Sequence, residues 1–322
     1  MPIGLNSRGE QLKEMTSTTV VTMYFDIKKF KDATEAVRPR SFYIDKGRVT
    51  LKLLAPMIVY CDESCLEDIK AIRGNLPTEY VVKEITEYDF FKDNYPIITK
   101  NREGNGMYVN SRNTASYCLL TMFKIHAMYL SSQANPFQTT HFAWIDFGGS
   151  HILRDLQVYG PLMLAAPRPK IALCYIHYRS SSELAPHSAF YRGGLCGIAA
   201  TAFTVEESYA SNFYNGCMSI FHDMLLNKTC HAEEQVMTYF YDKYPALCDI
   251  YYGDYYSVVS NYHHVRQDFP SIWRHFILEA SRKNRGDLAK SCAKAVLDSV
   301  EKGVLVLSPQ DIEHLNGINP SL

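Results

Sequence analysis

Several common signatures are missing from this sequence. Its nine cysteines contain no Cys-x-x-Cys pair, which argues against a zinc site and gives no disulfide framework. No apolar run is long enough to cross a bilayer, so no transmembrane segment is expected. The opening stretch, MPIGLNSRGEQLKEM, lacks the apolar core of a secretory leader. Together with the odd thiol count, this predicts reduced cysteines and a cytoplasmic setting. No charge of one sign dominates: 33 Lys and Arg stand against 34 Asp and Glu, for a net charge of -1. That leaves no basic footprint for a nucleic-acid partner. There is no Walker A run, no G-x-G-x-x-G after the first strand and no G-x-S-x-G elbow, which sets aside three large enzyme classes. Free thiols and imidazoles abound, but no local pattern supports Cys–His nucleophilic catalysis. No repeat or low-complexity tract is evident.

What is present is an ordinary globular balance, 47% hydrophobic and 21% charged over 322 residues. That length can bury a core without disulfides or structural metal. The 23 Tyr and 16 Phe suit carbohydrate or nucleotide contacts, and equally a Tyr-rich core. Residues 1–17 are polar and read as an arm. The run from Thr19 to Phe25 reads as a buried strand ending at Asp26. Met57 to Cys61 reads as a second strand ending at Asp62. A helix over 63–74 follows, with Leu66, Ile69 and Ile72 on one face and Gly74 as its stop. Tyr80 to Ile85 reads as a third strand. Residues 113–131 have helical spacing through Tyr117, Leu120, Phe123, Lys124 and Met128, and Asn135-Pro136 breaks them. His141 to Ile145 is a fourth strand, ending at Asp146. In the second half, 171–176 reads as a strand, and 208–226 and 232–243 as helices. Gly193 to Gly197 reads as a loop entering Ile198-Ala199-Ala200.

This alternation predicts an α/β fold, a mostly parallel sheet with helices on both faces. The core is expected over residues 18–269. A helical cover is expected over 270–322, with Asp287 capping one helix and Ser308-Pro309-Gln310-Asp311 opening another. Such sheets bind ligands beyond the carboxyl ends of their strands, where Asp26, Asp62 and Asp146 converge. An Asp after a strand is also a common turn former or cap. Trp144 and Asp146, two residues apart, point to the same side of their strand. Gly148-Gly149 leaves room for a ligand to approach the backbone.

Asn135-Pro136-Phe137 followed by Phe142-Ala143-Trp144-Ile145-Asp146-Phe147-Gly148 resembles the signature of the HtrL/YibB family of glycosyltransferases. Thr22 to Ile27, Tyr117 with Lys124, Glu233-Glu234-Gln235, Tyr244-Pro245 and Tyr252 to Tyr256, on to Asn261-Tyr262, extend the likeness over roughly residues 18–265. The resemblance implies a GT-A-like fold and transfer of a sugar from a UDP- or GDP-sugar donor to a glycan or other hydroxyl acceptor. It also implies assistance from a divalent metal, Mn2+ or Mg2+. The family's Asp-x-Asp pair matches here only at Asp146, because Gly148 stands in the second place. His263 or His264 is the expected late ligand, though adjacent histidines in a Tyr-rich loop equally suit surface or packing roles. By position, Thr22, Phe25, Asp26 and Asp62 would meet base and ribose, and Trp144 would belong to the same donor site. Arg73 and Lys124 would meet the diphosphate, unless they are solvated helix charges. Gly193 and Gly194 would shape the sugar pocket. The catalytic base falls to Glu234 ahead of Glu233 and Asp254. Two other readings compete: a non-catalytic nucleotide-sugar or glycan-binding module, and a hydrolase with Glu233 and Asp254 as paired carboxylates.

Overall fold

The computed structural model describes residues 17–104 except 36, then 114–180, 182–185, 196–229, 232–266 and 270–318. The expected glycines at 193 and 194 lie outside these residues. Among the described residues, seven strands form one sheet: β1 (Thr18–Tyr24), β2 (Met57–Cys61), β3 (Thr78–Val82), β4 (His141–Ile145), β5 (Ile171–Tyr175), β6 (Ile198–Glu206) and β7 (Cys248–Tyr252). Their order is β3-β2-β1-β4-β6-β5-β7. All neighbouring pairs are parallel except the two made by β6. The α/β sheet with helices on both faces is therefore as the sequence predicts.

Ten helices among the described residues accompany the sheet: α1 (Arg40–Leu51), α2 (Glu63–Arg73), α3 (Asp89–Gly104), α4 (Ala115–Ala134), α5 (Leu156–Ala165), α6 (Glu207–Leu226), α7 (Glu233–Lys243), α8 (Pro270–Arg282), α9 (Gly286–Glu301) and α10 (Pro309–Ile318). Strand β1 is buried along its whole length and feeds both faces. Val21 and Met23 join the larger core, under α3, α4, α6 and α7. Val20 and Tyr24 join a second core with residues of α1, α2 and α5. A strand buried on both faces reads as a continuous apolar run, which is why the sequence shows it plainly. Thr114 caps α4 by accepting from Tyr117 N at 3.2 Å, and Asn135 ends it with φ at 34°.

The third strand ends at Val82, three residues before the expected Ile85, which begins a 3-10 turn. Helices α1, α3 and α5 and strands β6 and β7 are not among the elements expected from the sequence. Asp287 does not cap α9. It sits in the first turn, ion-paired with Arg285 at 3.2 Å. Ser308 does open α10, accepting from Asp311 N at 3.2 Å. Helices α8 and α9 are continuous with the larger core: Phe276 packs edge-on against Tyr252 at 5.0 Å and Tyr175 at 5.1 Å. Among the described residues, no helix is long and apolar enough to cross a membrane.

Candidate active site

Strands β1 and β4 run side by side, but their other neighbours lie on opposite sides, β2 beyond β1 and β6 beyond β4. A crevice opens where the strand order reverses in this way. Here it is a cavity of about 520 Å³. Tyr24, Phe25 and Ile27 line it from the end of β1, and Asp146, Phe147 and Gly148 from the end of β4.

Its inner wall is a buried charge network. Lys124 projects from the middle of α4, and its ammonium lies 2.8 Å from Asp146 Oδ1 and 2.5 Å from Glu233 Oε1. It also donates to Ala200 O at 3.4 Å. Trp144 Nε1 donates to the same Asp146 oxygen at 2.8 Å, which realises the expected common orientation of the two side chains. The two carboxylates hold the Lys124 pKa above its usual value, against the opposing effect of burial. The next carboxyl, Glu234, accepts from Tyr255 Oη at 2.8 Å and from Ala200 N at 3.4 Å. Burial, and then the neighbouring Glu233 charge, push its pKa up to about 7. Thr238 fixes this corner: its hydroxyl donates to Glu234 O at 2.6 Å and accepts from Gly197 N and Ile198 N. Helix α7 is thereby pinned to the start of β6.

A guanidinium also lines the cavity. The Arg38 guanidinium lies 4.5 Å from the centre of the Phe42 ring. His151 packs edge-on against the same ring at 5.6 Å. Both Arg38 and His151 line the cavity. Gly148 O accepts from His151 Nδ1 at 2.5 Å, which puts the proton on that nitrogen.

Of the residues expected from sequence, Phe25, Lys124, Trp144, Asp146, Gly148 and Glu234 line the cavity. The room expected at Gly148 is taken by protein, since a Cβ there would lie 3.2 Å from Tyr43 Cδ1. Thr22 is fully buried in β1 and does not line the cavity. Asp26 caps the turn after β1, accepting from Lys28 N at 3.0 Å. Asp62 is buried behind it. Ser64 and Lys29 hold its carboxyl below the usual range, against the opposing effect of burial.

Arg73 is not a diphosphate contact. It is buried, and it donates to Thr78 Oγ1 at 2.7 Å and to the carbonyls of Leu51, Leu53, Ala55 and Pro77. It ties the end of α1 to the start of β3 by satisfying carbonyls that would otherwise be stranded. Asp254 also stands outside the cavity. It accepts from Tyr256 N at 2.9 Å and Ser257 N at 2.7 Å, making the turn that presents Tyr255. Neither His263 nor His264 lines the cavity, and His263 Nε2 lies 3.2 Å from Leu162 O.

These positions bear on the expected metal. Asp146 Oδ1 is already committed to Lys124 and Trp144, and the histidines are elsewhere. Among the described residues, no group of three His, Cys, Asp or Glu could hold a metal ion. Among the described residues, the cavity therefore offers no set of three protein ligands for a divalent ion, and Asp146 Oδ1 is engaged by the Lys124 ammonium.

The sequence pattern does not single out Arg38, Tyr43, His151 or Thr201 as site residues. Glu233 stands in it only behind Glu234, and Tyr255 only within a family-like stretch.

A family model described as "Bacterial protein of unknown function (HtrL_YibB)" matches residues 16–263. No curated protein matches the chain in sequence. Among solved structures, the chain is similar to apo mouse xyloside xylosyltransferase 1, at a TM-score of 0.42 and 10% identity, over 72% of this chain and 84% of that one. It is also similar to 4-diphosphocytidyl-2C-methyl-D-erythritol synthase from Anaerococcus prevotii, at a TM-score of 0.35 and 9% identity, over 76% of this chain and 90% of that one.

Proposed function

The chain belongs to the HtrL_YibB family, and on that footing we propose that it is a glycosyltransferase that moves a sugar from a nucleoside-diphosphate donor to a hydroxyl acceptor. One observation carries the reading: the crevice between β1 and β4 holds two adjacent carboxyls in different surroundings. Glu233 is paired with a buried ammonium at 2.5 Å, whereas Glu234 has its pKa pushed up to about 7. A buried crevice carboxyl raised toward neutral pH beside an ion-paired one suits acid–base chemistry.

In this reading Glu234 removes the proton of the acceptor hydroxyl as the new glycosidic bond forms. A base poised near neutral pH suits that task. Tyr255 holds its other oxygen and fixes the carboxyl plane. Lys124 keeps Asp146 and Glu233 in place and offsets their charge. The charge that grows on the leaving diphosphate faces Arg38, since a guanidinium matches phosphate geometry. No step is routed through a metal. The compact cavity, with Tyr24, Phe25 and Tyr43 in its lining, suits a nucleoside ring stacked on aromatic faces.

The test is a thermal-shift panel of UDP-, GDP-, CDP- and ADP-sugars on wild type and Asp146→Ala, with and without manganese. Ligand that binds only the folded chain raises the melting temperature with the logarithm of its saturation. At least one donor is expected to stabilise the wild type, without a requirement for manganese, and Asp146→Ala to lose that shift. A panel in which nothing stabilises the wild type removes the reading. Stabilisation that appears only with manganese instead assigns a metal to Asp146.

A further inference from the structure

Within the nucleotide-sugar reading, two polar atoms of the cavity wall stand out. Glu233 Oε2 and Thr201 Oγ1 are buried and have no hydrogen-bond partner among the described residues. Their residues are 3% and 7% exposed, and both line the cavity. An unpaired buried carboxylate oxygen carries a desolvation cost that native structures rarely leave standing without a ligand or water.

The two atoms belong to one wall. Lys124 bonds Glu233 Oε1 and reaches Ala200 O, and Thr201 is the next residue. Thr201 O in turn accepts from Asp146 N at 2.9 Å. The backbone is built to place this threonine. Ala172 of β5 faces Thr204, yet Cys174 faces Ala199, so β6 carries extra residues in the stretch that contains Thr201. Bulges of this kind re-aim side chains beside functional sites.

The unpaired atoms also define what they want. A carboxylate oxygen can only accept, so its partner must bring an O–H or N–H. A threonine hydroxyl can donate or accept. A phosphate or carboxylate on the ligand brings no proton and meets the Glu233 charge. We infer that Thr201 and Glu233 bind hydroxyl groups of an uncharged donor sugar and reject acidic sugars such as uronates.

The test is isothermal titration of wild type and Thr201→Val, which have side chains of the same shape. The probes are UDP, UDP-glucose, UDP-galactose and UDP-glucuronate, with GDP, GDP-mannose and GDP-mannuronate as the second series. In the wild type, one neutral sugar nucleotide is expected to outbind its own nucleoside diphosphate by about 10-fold or more. The matching uronate is expected to lose that gain. Thr201→Val should remove the gain for the neutral sugar while keeping the affinity for the bare diphosphate. Its unliganded melting temperature should not fall, because only an unpaired hydroxyl is lost. The inference is overturned if Thr201→Val binds the sugar nucleotide as the wild type does. It is equally overturned if the uronate binds as well as the neutral sugar, or if the variant melts well below the wild type. In those cases a retained affinity for UDP or GDP leaves the transferase reading standing. No binding of any of these probes to the wild type overturns the inference, and the transferase reading falls with it only if the CDP- and ADP-sugars also fail to stabilise the chain.

Discussion

Replacing Lys124 by Met is expected to cost about 3–5 kcal/mol of folding stability, the usual penalty for removing one partner of a buried ion pair. Lys124 and Glu233 are nearly solvent-free, at 8% and 4% side-chain exposure, and both Glu233 and Asp146 have oxygens on the same ammonium. Met fills the space of the stem but leaves two carboxylates facing each other without a cation. Lys124 itself sets no pH window in the working range. Its pKa is raised in the folded state, so its contribution is complete below the unfolded value of 10.5 and is lost only as pH rises through the higher folded one. Urea unfolding followed by circular dichroism at pH 8 measures the loss. A loss below about 1 kcal/mol at pH 8 would show that the network is solvated, because exposed pairs contribute no more than that.

Glu234→Gln carries the second large effect, on rate. The amide keeps one oxygen for Tyr255 Oη, gives up the long contact from Ala200 N to the other oxygen, and cannot take a proton. Turnover should fall by about 10²–10⁴-fold, the range for losing a general base. In the wild type, kcat/KM should rise with pH through about 7, where Glu234 becomes ionised. Stability moves the other way. The folded pKa lies above the unfolded 4.5, so the protonated form stabilises the fold below 4.5, and that contribution is lost as pH rises through about 7. Relative to wild type, Glu234→Gln should therefore be more stable at pH 8 than at pH 5, by roughly 1–3 kcal/mol. A variant that loses activity but leaves the pH–rate profile of the residual turnover unchanged would move the base elsewhere.

Part of this site is legible in the sequence. Strands β1, β2 and β4 are short apolar runs that end in Asp, so the crevice follows from pattern, but it is the family-like neighbours that single out Asp146 over Asp26 and Asp62, which do not line the cavity. The i, i+2 relation of Trp144 and Asp146 follows from the strand period and is realised as a hydrogen bond. The partners of Asp146 are harder to read. Lys124 and Glu233 are 109 residues apart in sequence, and their pairing depends on how α4 and α7 meet across the sheet. The apolar setting of Lys124 in α4 hints that it is buried, but does not name its partners. Arg73 shows the converse case. Its position in α2 reads as a diphosphate contact or, more readily, a solvated charge, but it serves five acceptors at the end of α1, in the α1–β2 connection and at the start of β3. Thr201 is invisible in the pattern because its exposure to the cavity depends on the irregular register of β6, and a strand of small residues has no strong period. The same absence of period hides β7, after which the turn at Asp254 aims Tyr255 at Glu234.

The most direct measurement is chromatographic detection of products after incubating the full chain with the donor that stabilises it and a panel of hydroxyl-bearing glycan acceptors. A transferase at the β1/β4 crevice releases nucleoside diphosphate in step with a new glycoside, and Glu234→Gln suppresses both. Donor that binds without turnover would make the chain a nucleotide-sugar-binding module, and glycoside cleavage without any nucleotide would make it a hydrolase; either result contradicts the proposed function.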